Sequence, residues 1–572
     1  MSYEWDLSSL YSGPDDPAIL RDLEAALRMA ETLSKGLKQA PLNDPYELLA
    51  LIKEYEGCIS LALQAYIYSE LYYYLHLTDA TSQKLYRWVR EIWIELRERL
   101  MKVKAWLSAR ETIPRTWFET CPSLGAYKHW FEKSATFAPY NPRGAQGVSE
   151  LKDLFKQREE LLGRYHQLCS NIRTDGGLSL NEALSLMNDS TAPFRDKIYA
   201  NLLDMVKEQK DEFAHILILL AKNHLHEAKL RGVSSPMKKL WLLNEMGEGF
   251  GMDVVRRVER SYEVAKNYLA LRRKALGKGR ITMPDLYIST EDGQWEGRPK
   301  DALELIKSSI GQLDPLFSDL VEGLIKNKCL DLEPRPTKRQ GAICKALVPF
   351  IPPYIMMSYG GGWRDLATLS HEVGHAIHYM LSSERGCLNF RPVPVLEETV
   401  AAFFEFFVLF KCSSKLGKGP SLSMVMDDIM KSLFRQNIIT HLELWIYQKT
   451  ETHSLDAHKI SRQWVLLNKK LYGDEVEFPK SFGISWALIP HIFEKPFYCS
   501  NYVVASLLAL NLLNYAIKET RDFSRKFLRL LRAGASRPAP DILAELTPGL
   551  KDMAFLESST TLLEGFMETI SH

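Results

Sequence analysis

Apolar side chains recur at close to 3.6-residue spacing over most of this chain, and that period restricts it to packed helices. In residues 92–107 they fall at Ile92, Trp93, Leu96, Leu100, Val103 and Leu107; in residues 151–168 at Leu151, Leu154, Phe155, Leu161, Leu162, Tyr165 and Leu168. From Phe194 onward the pattern continues with two exceptions. Residues 280–288 and 341–359 are richer in β-formers and prolines, and 342–348 with 354–359 read as a short hairpin around Pro349–Pro353. The expected fold class is therefore predominantly α with one small β-sheet. Tyr66, Tyr68, Tyr72, Tyr73 and Tyr74 read as packing between helices, with a substrate-contacting wall as the alternative. The run from Asn188 to Pro193 stops one helix and starts another, which predicts lobes of residues 1–190 and 191–572.

Composition removes partners rather than naming one. Lys plus Arg is 72 against 71 Asp plus Glu, so the net charge of +1 gives no overall electrostatic hold on nucleic acid or anionic lipid. Neither nucleic acid nor membrane is an expected partner. The opening residues carry no basic region followed by an apolar one, and the apolar stretch 503–517 is interrupted by Asn511 and Asn514, so neither a secretory signal nor a membrane span is expected. The eight cysteines are scattered without a CxxC pair and read as reduced thiols, which makes a cytoplasmic location the expectation.

The chemistry concentrates after the candidate hairpin. Asp365 is a candidate helix N-cap, and His371 and His375, four residues apart, project from one helical face toward one point. Two neutral imidazoles in that geometry suit zinc, and Glu372, displaced around the helix, can reach a metal-bound water without being a ligand. This is the HExxH arrangement of zinc peptidases, which chance places in a chain of this composition roughly 0.02 times. A zinc site needs a third protein ligand. The metzincin pattern would place Gly at 378 and His at 381, where this chain has His378 and Leu381. A carboxylate from the segment 394–405 is the alternative. Glu398 and Glu405 are two helical turns apart on one face, and Ala401 and Ala402 between them permit close approach to the histidine helix. Glu398 is the expected ligand, with Glu397 as its rival. Glu405 is the expected acceptor orienting a ligating histidine, or otherwise part of a solvated face. His378 reads as a packing or substrate-side residue.

With these residues in place the chain resembles the oligoendopeptidase F branch of the thimet-oligopeptidase-like zinc peptidases. Four segments carry the likeness: Glu4-Trp5-Asp6-Leu7 with Leu10 and Tyr11; residues 337–342; His371–His378 with Glu398 and Glu405; and residues 490–502. The resemblance implies a cytoplasmic endopeptidase holding one zinc ion and cutting oligopeptides. It implies two helical lobes enclosing a deep channel, with the small sheet next to the zinc-binding helix. It makes His371, His375 and Glu398 the metal ligands and Glu372 the general base. His491 and Tyr502 would face the scissile carbonyl, with Tyr498 nearby. Family members often carry a further tyrosine where this chain has Ser500, which leaves open which hydroxyl stabilises the oxyanion.

Residues 354–359 read as an edge strand to which an extended peptide could add. Gly360 to Gly362 either let backbone approach the substrate or turn the chain into the next helix. No GK[ST] follows, so the glycines are not a phosphate loop. Gly341, Ala342, Tyr359 and Gly360 are the candidate substrate-binding positions. Two rival functions are a catalytically idle peptide-binding scaffold and a zinc carboxypeptidase. No feature of the sequence specifies an oligomeric state.

Overall fold

The computed structural model describes residues 3–36, 44–108, 113–142, 144–180, 182–183, 186, 195–247, 249–287, 297–335, 337–339, 341–415, 422–452 and 454–571. The chain forms two compact units, each assembled from three separated stretches. One comprises Met1–Pro139, Trp295–Val408 and Tyr515–Leu546; the other comprises Tyr140–Gln294, Leu409–Asn514 and Thr547–His572. The boundary expected at 190/191 lies outside the described residues.

The first unit opens with three helices, Pro17–Gly36, α1 (Pro45–Leu75) and Ala80–Ser108. Asp44 accepts the amides of Tyr46 and Glu47 and Pro45 fills the first helical position, so the start of α1 is capped locally. Leu48, Ile52, Leu96, Leu100 and Val103 meet in the core between these helices. The tyrosines also pack there: Tyr73 stacks on Tyr86 at 5.1 Å, and Tyr66 lies 6.0 Å from Trp93.

Three short strands form the sheet of this unit: β1 (Leu330–Asp331), β2 (Ile343–Lys345) and β3 (Tyr354–Met356), in the order β1-β3-β2. β2 and β3 make the expected hairpin, antiparallel with Cys344 opposite Ile355, while β1 runs parallel to β3. The expected edge strand at 354–359 is corrected by this order, because Tyr354–Met356 is central. A continuous apolar run buried on both faces marks an interior strand, whereas the half-buried β2 lies at the edge.

The opening signature is a strap on this sheet. Trp5 is buried, its Nε1 donates to the carbonyls of Cys329 and Ile355, and its ring meets Tyr354 edge-on at 5.7 Å. Lys338 has a related task. It is buried, its Nζ donates to the carbonyls of Asp331, Glu333 and Met357, and it pairs with the Asp331 carboxylate at 2.6 Å. Burial of that ammonium is offset by a complete set of acceptors, which ties the ends of β1 and β3 together.

After β3 the chain turns into α2 (Trp363–Ser382), followed by α3 (Pro394–Lys415). Asp365 lies at the third helical position rather than at the N-cap, which is Gly362; its carboxylate reaches back to the Gly360 and Gly362 amides at 2.9 and 3.2 Å. α3 is buried almost all round. Phe403 and Phe404 pack on Phe527 at 4.7 and 5.7 Å, and Phe404 also meets Phe317 at 5.5 Å. The helices α2 and α3 approach closely at Gly374, where an added Cβ would lie 2.9 Å from the Ala401 Cα and 3.1 Å from the Phe404 Cβ. Gly374→Ala is therefore expected to destabilise the chain by about 1–3 kcal/mol and to weaken metal binding, because overpacking must push the two helices apart. Thermal denaturation with a metal titration checks both effects.

In the second unit, Gly144–Asn171 packs against Lys210–Leu230. Buried Glu227 joins them to neighbouring segments by accepting from Arg158, Arg231 and Lys239. Among the described residues 280–287, Ile281–Thr282 forms the one strand, paired parallel with Val476–Glu477. Two further helices concern the function, α4 (Gln436–Thr452) and α5 (Cys499–Lys518). Among the described residues α5 is the one helix long and apolar enough to cross a membrane, and 78% of its apolar window is buried within the protein. Asn511 is satisfied there by the Phe555 carbonyl and the Ser559 hydroxyl, as suits a core helix.

Candidate metal centre

The spacing read from the sequence becomes a convergent donor set. His371 and His375 stand one turn apart on α2, with ring centroids 4.9 Å apart and ring planes at 81°. α3 brings Glu398 opposite them: its Oε2 is 3.4 Å from His371 Nε2 and 3.8 Å from His375 Nε2. The ligand atoms of the three residues all lie within 4.8 Å of one another. Glu405, two turns further on, is buried rather than solvated and bonds His371 Nδ1 at 2.9 Å. That bond selects the tautomer with its proton on Nδ1, leaving the Nε2 lone pair aimed at the space shared with His375 and Glu398.

The electrostatics test whether a cation fits. Burial alone would push the His371 pKa down, but its hydrogen bonds to Glu398 and Glu405 outweigh this and raise it well above the ordinary value. His375, with less direct carboxylate support, is lowered by burial to about 4. Two carboxylates turned on the His371 ring, at 3.4 and 2.9 Å, mark a place where positive charge is stabilised. Two imidazoles and one carboxylate are also the donor chemistry of a zinc site with an open position. The residues present therefore fit a divalent metal.

Glu372 is buried beside this set and accepts the backbone N–H of Cys344, on β2. Burial above all, with the Glu398 and Glu405 charges, outweighs the pull of His371 and raises its pKa to about 7. Glu397 is turned elsewhere: its carboxylate pairs with Arg391 at 3.1 Å. His378 is fully buried, and neither ring nitrogen has a hydrogen-bond partner among the described residues. Burial, with His375 nearby, holds its pKa down at about 3. A histidine kept neutral in the fold but free to protonate when unfolded removes stability as pH falls below its ordinary value of 6.5. Between pH 6.5 and 5 that loss is about 1.5–2 kcal/mol. His378→Leu is expected to abolish this share of the acid sensitivity while leaving bound metal per chain unchanged. Denaturation at a series of pH values and metal analysis check the pair.

His491, Tyr498 and Tyr502 form one cluster of rings in the second unit. His491 lies 6.4 Å from Tyr498, nearly parallel, and 5.7 Å from Tyr502, edge-on; the two tyrosines are 5.4 Å apart. All three are partly exposed. Ser500 faces the other way: it is buried, and its hydroxyl donates to the Phe497 carbonyl at 2.7 Å. The substrate-binding candidates are less uniform. Gly341 forms a left-handed turn (φ 81°) leading through Ala342 into β2. Tyr359 is buried and its amide donates to the Leu332 carbonyl, while the Gly360 amide is held by Asp365. The glycines at 360–362 therefore make the turn into α2.

Comparison with known proteins adds to this geometry. Residues 315–561 match the model of Peptidase family M3, a stretch that contains both metal-site helices and the ring cluster. That stretch is similar to peptidase family M3. Over more of its length the chain is similar to oligoendopeptidases of the F type. The chain is 22% identical over 364 residues to oligopeptidase PepF of Bacillus subtilis strain 168, a match covering 62% of this chain and 54% of that protein. It is 20% identical to group B oligopeptidase PepB of Streptococcus agalactiae serotype III, over 98% of this chain and 95% of that one. The solved structure of oligoendopeptidase-F from Enterococcus faecium has the same fold, with a TM-score of 0.70 at 17% identity, covering 96% and 98% of the two chains.

Two features of this centre had no signal in the spacing of its ligands. The Cys344 amide reaches Glu372 from a strand 28 positions upstream in the sequence. Gly374 lies inside the HExxH motif at a position that the motif leaves open, and its signal was the pairing with the small Ala401 of the following helix.

Proposed function

We propose that this chain is a zinc-dependent endopeptidase acting on oligopeptides, with Glu372 as general base. The convergence of His371, His375 and Glu398 within 4.8 Å of one another, with buried Glu372 adjacent, carries the reading. Those three residues would hold the ion, and when bound it would activate a water and polarise the scissile carbonyl. Glu405 keeps His371 in its ligating tautomer. Glu372, with its pKa raised to about 7, takes the proton from the attacking water at a carboxylate oxygen and delivers it to the leaving nitrogen. The tetrahedral oxyanion needs donors, a role for the hydroxyls of Tyr502 and Tyr498 and the His491 imidazole. Because Ser500 is buried, the choice of hydroxyl lies between Tyr498 and Tyr502. β2 is the edge strand beside Glu372 and is the place for an extended peptide to add as a strand. Unpaired thiols at all eight cysteines suit a reducing, cytoplasmic setting.

Digestion of a mixed peptide library, read by mass spectrometry, tests the function. Internal cleavages are expected, lost on chelation and restored by zinc, and C-terminally amidated peptides should be cut equally well. Release of single C-terminal residues only would assign a carboxypeptidase. No cleavage at all would leave a peptide-binding scaffold.

A further inference from the structure

α4 carries an acid that the chemistry above does not use. Glu443 is buried at 1% exposure in the second unit, and one of its oxygens accepts the backbone N–H of Phe497 at 2.7 Å. Its other oxygen has no hydrogen-bond partner among the described residues. One turn along the same face of α4, Tyr447 lays its ring on the Phe497 ring at 4.7 Å, and the Tyr447 hydroxyl is itself bonded to His224 Nδ1 at 2.7 Å. The Phe497 carbonyl accepts both the amide and the hydroxyl of Ser500, at 2.9 and 2.7 Å. Phe497 is thus held at its amide, its ring and its carbonyl.

All this surrounds a backbone conformation that a residue with a Cβ avoids. Phe497 has φ 61°, in the left-handed region. Such a conformation persists only where its surroundings over-determine it. The turn it makes joins the short helix Pro490–Glu494, which bears His491, to Tyr498 and α5, which bears Tyr502. The direction of the chain at residue 497 therefore sets how the two tyrosines meet the histidine.

We propose that Glu443 is a positioning residue: by holding the Phe497 amide it fixes the left-handed turn that sets Tyr498 and Tyr502 against His491. The proposal rests on the reading of those rings as donors to the oxyanion. Burial pushes the Glu443 pKa up to about 8, so near neutral pH the group serves chiefly as a carboxylic acid whose carbonyl oxygen accepts. Glutamine can replace that acceptor. Leucine cannot, and it leaves the Phe497 N–H buried without a partner.

The test compares the full-length wild type with Glu443→Gln, Glu443→Leu, Tyr502→Phe and the Glu443→Leu/Tyr502→Phe pair, on a quenched fluorescent peptide. Glu443→Gln should stay within about 3-fold of wild-type kcat. Glu443→Leu should lose about 10–100-fold in kcat with KM within about 3-fold. The pair should be no more than about 2-fold slower than Tyr502→Phe alone, because both changes remove one function. Should Glu443→Leu fail to fold, Glu443→Asp withdraws the same oxygen while keeping the acid, and the same ordering is expected. Unchanged kcat in Glu443→Leu, or losses that multiply in the pair, would overturn the proposal. Hydrogen exchange at residues 496–503 gives a readout independent of turnover. It should accelerate in Glu443→Leu but not in Glu443→Gln, and unchanged exchange also overturns the proposal. A wild type that cleaves no peptide would instead overturn the functional reading, leaving exchange to decide whether Glu443 holds the turn.

Discussion

Glu372→Gln is expected to keep its metal and to lower peptide turnover by about 10²–10⁴-fold, the usual contribution of a positioned general base. Glutamine preserves the shape of the side chain and can still accept the Cys344 amide, so the packing at the junction of α2 and β2 survives. What it cannot do is take up a proton. The carboxyl is buried with a pKa of about 7, raised first by that burial and then by Glu398 and Glu405. A cation held by His371, His375 and Glu398 would stabilise the carboxylate and draw that value down, so the acid limb of the wild-type kcat/KM profile should lie below about 7. Activity on that limb falls as pH falls, since only the ionised form is a base. The residual activity of Glu372→Gln should lack the limb. Turnover within 10-fold of wild type, with metal content unchanged, would remove Glu372 from the mechanism.

The second large effect separates two neighbouring acids. Glu398→Ala is expected to reduce bound metal by at least 10-fold and to abolish turnover at limiting zinc, whereas Glu397→Ala should bind metal as the wild type does. The Glu398 carboxylate lies 3.4 and 3.8 Å from the two imidazole Nε2 atoms, while the Glu397 carboxylate is engaged by Arg391 at 3.1 Å. A site left with two imidazoles loses a third of its protein ligands and the one negative charge among them. Glu397→Ala instead strands Arg391 beside Tyr379, which predicts lower thermal stability without a change in stoichiometry. Metal analysis of the purified variants, with thermal denaturation, decides between the acids. A reversed pattern would transfer the ligand role to Glu397.

Much of this centre was legible locally. The i,i+4 spacing of His371 and His375 and the seven-residue spacing of Glu398 and Glu405 survive into the structure because helical periodicity is a property of consecutive residues. The β2–β3 hairpin was legible for the same reason, as β-formers flank a proline-rich turn. Other features depend on partners far away in the chain. Burial of both faces of Tyr354–Met356, and so its central place in the sheet, requires β1 from residues 330–331 on the far side. The signature around Trp5 could be matched but not explained until its ring and Nε1 met residues more than 300 positions away.

The sequence by itself determined that this is a helical chain with one HExxH helix and a following acid-bearing helix, because both follow from spacing along a single element. Tertiary structure decided which acid faces the histidines. Adjacent residues on a helix point about 100° apart. The rotation of α3 is set by Phe403 and Phe404 packing on Phe527 and by the close approach at Gly374, not by anything in the segment 394–405 alone. Tertiary structure also decided that 295–408 joins the N-terminal helices in one unit, and that buried Glu443 meets Phe497, 54 residues away. Each of these depends on which surfaces bury one another, and burial is settled by the whole fold at once.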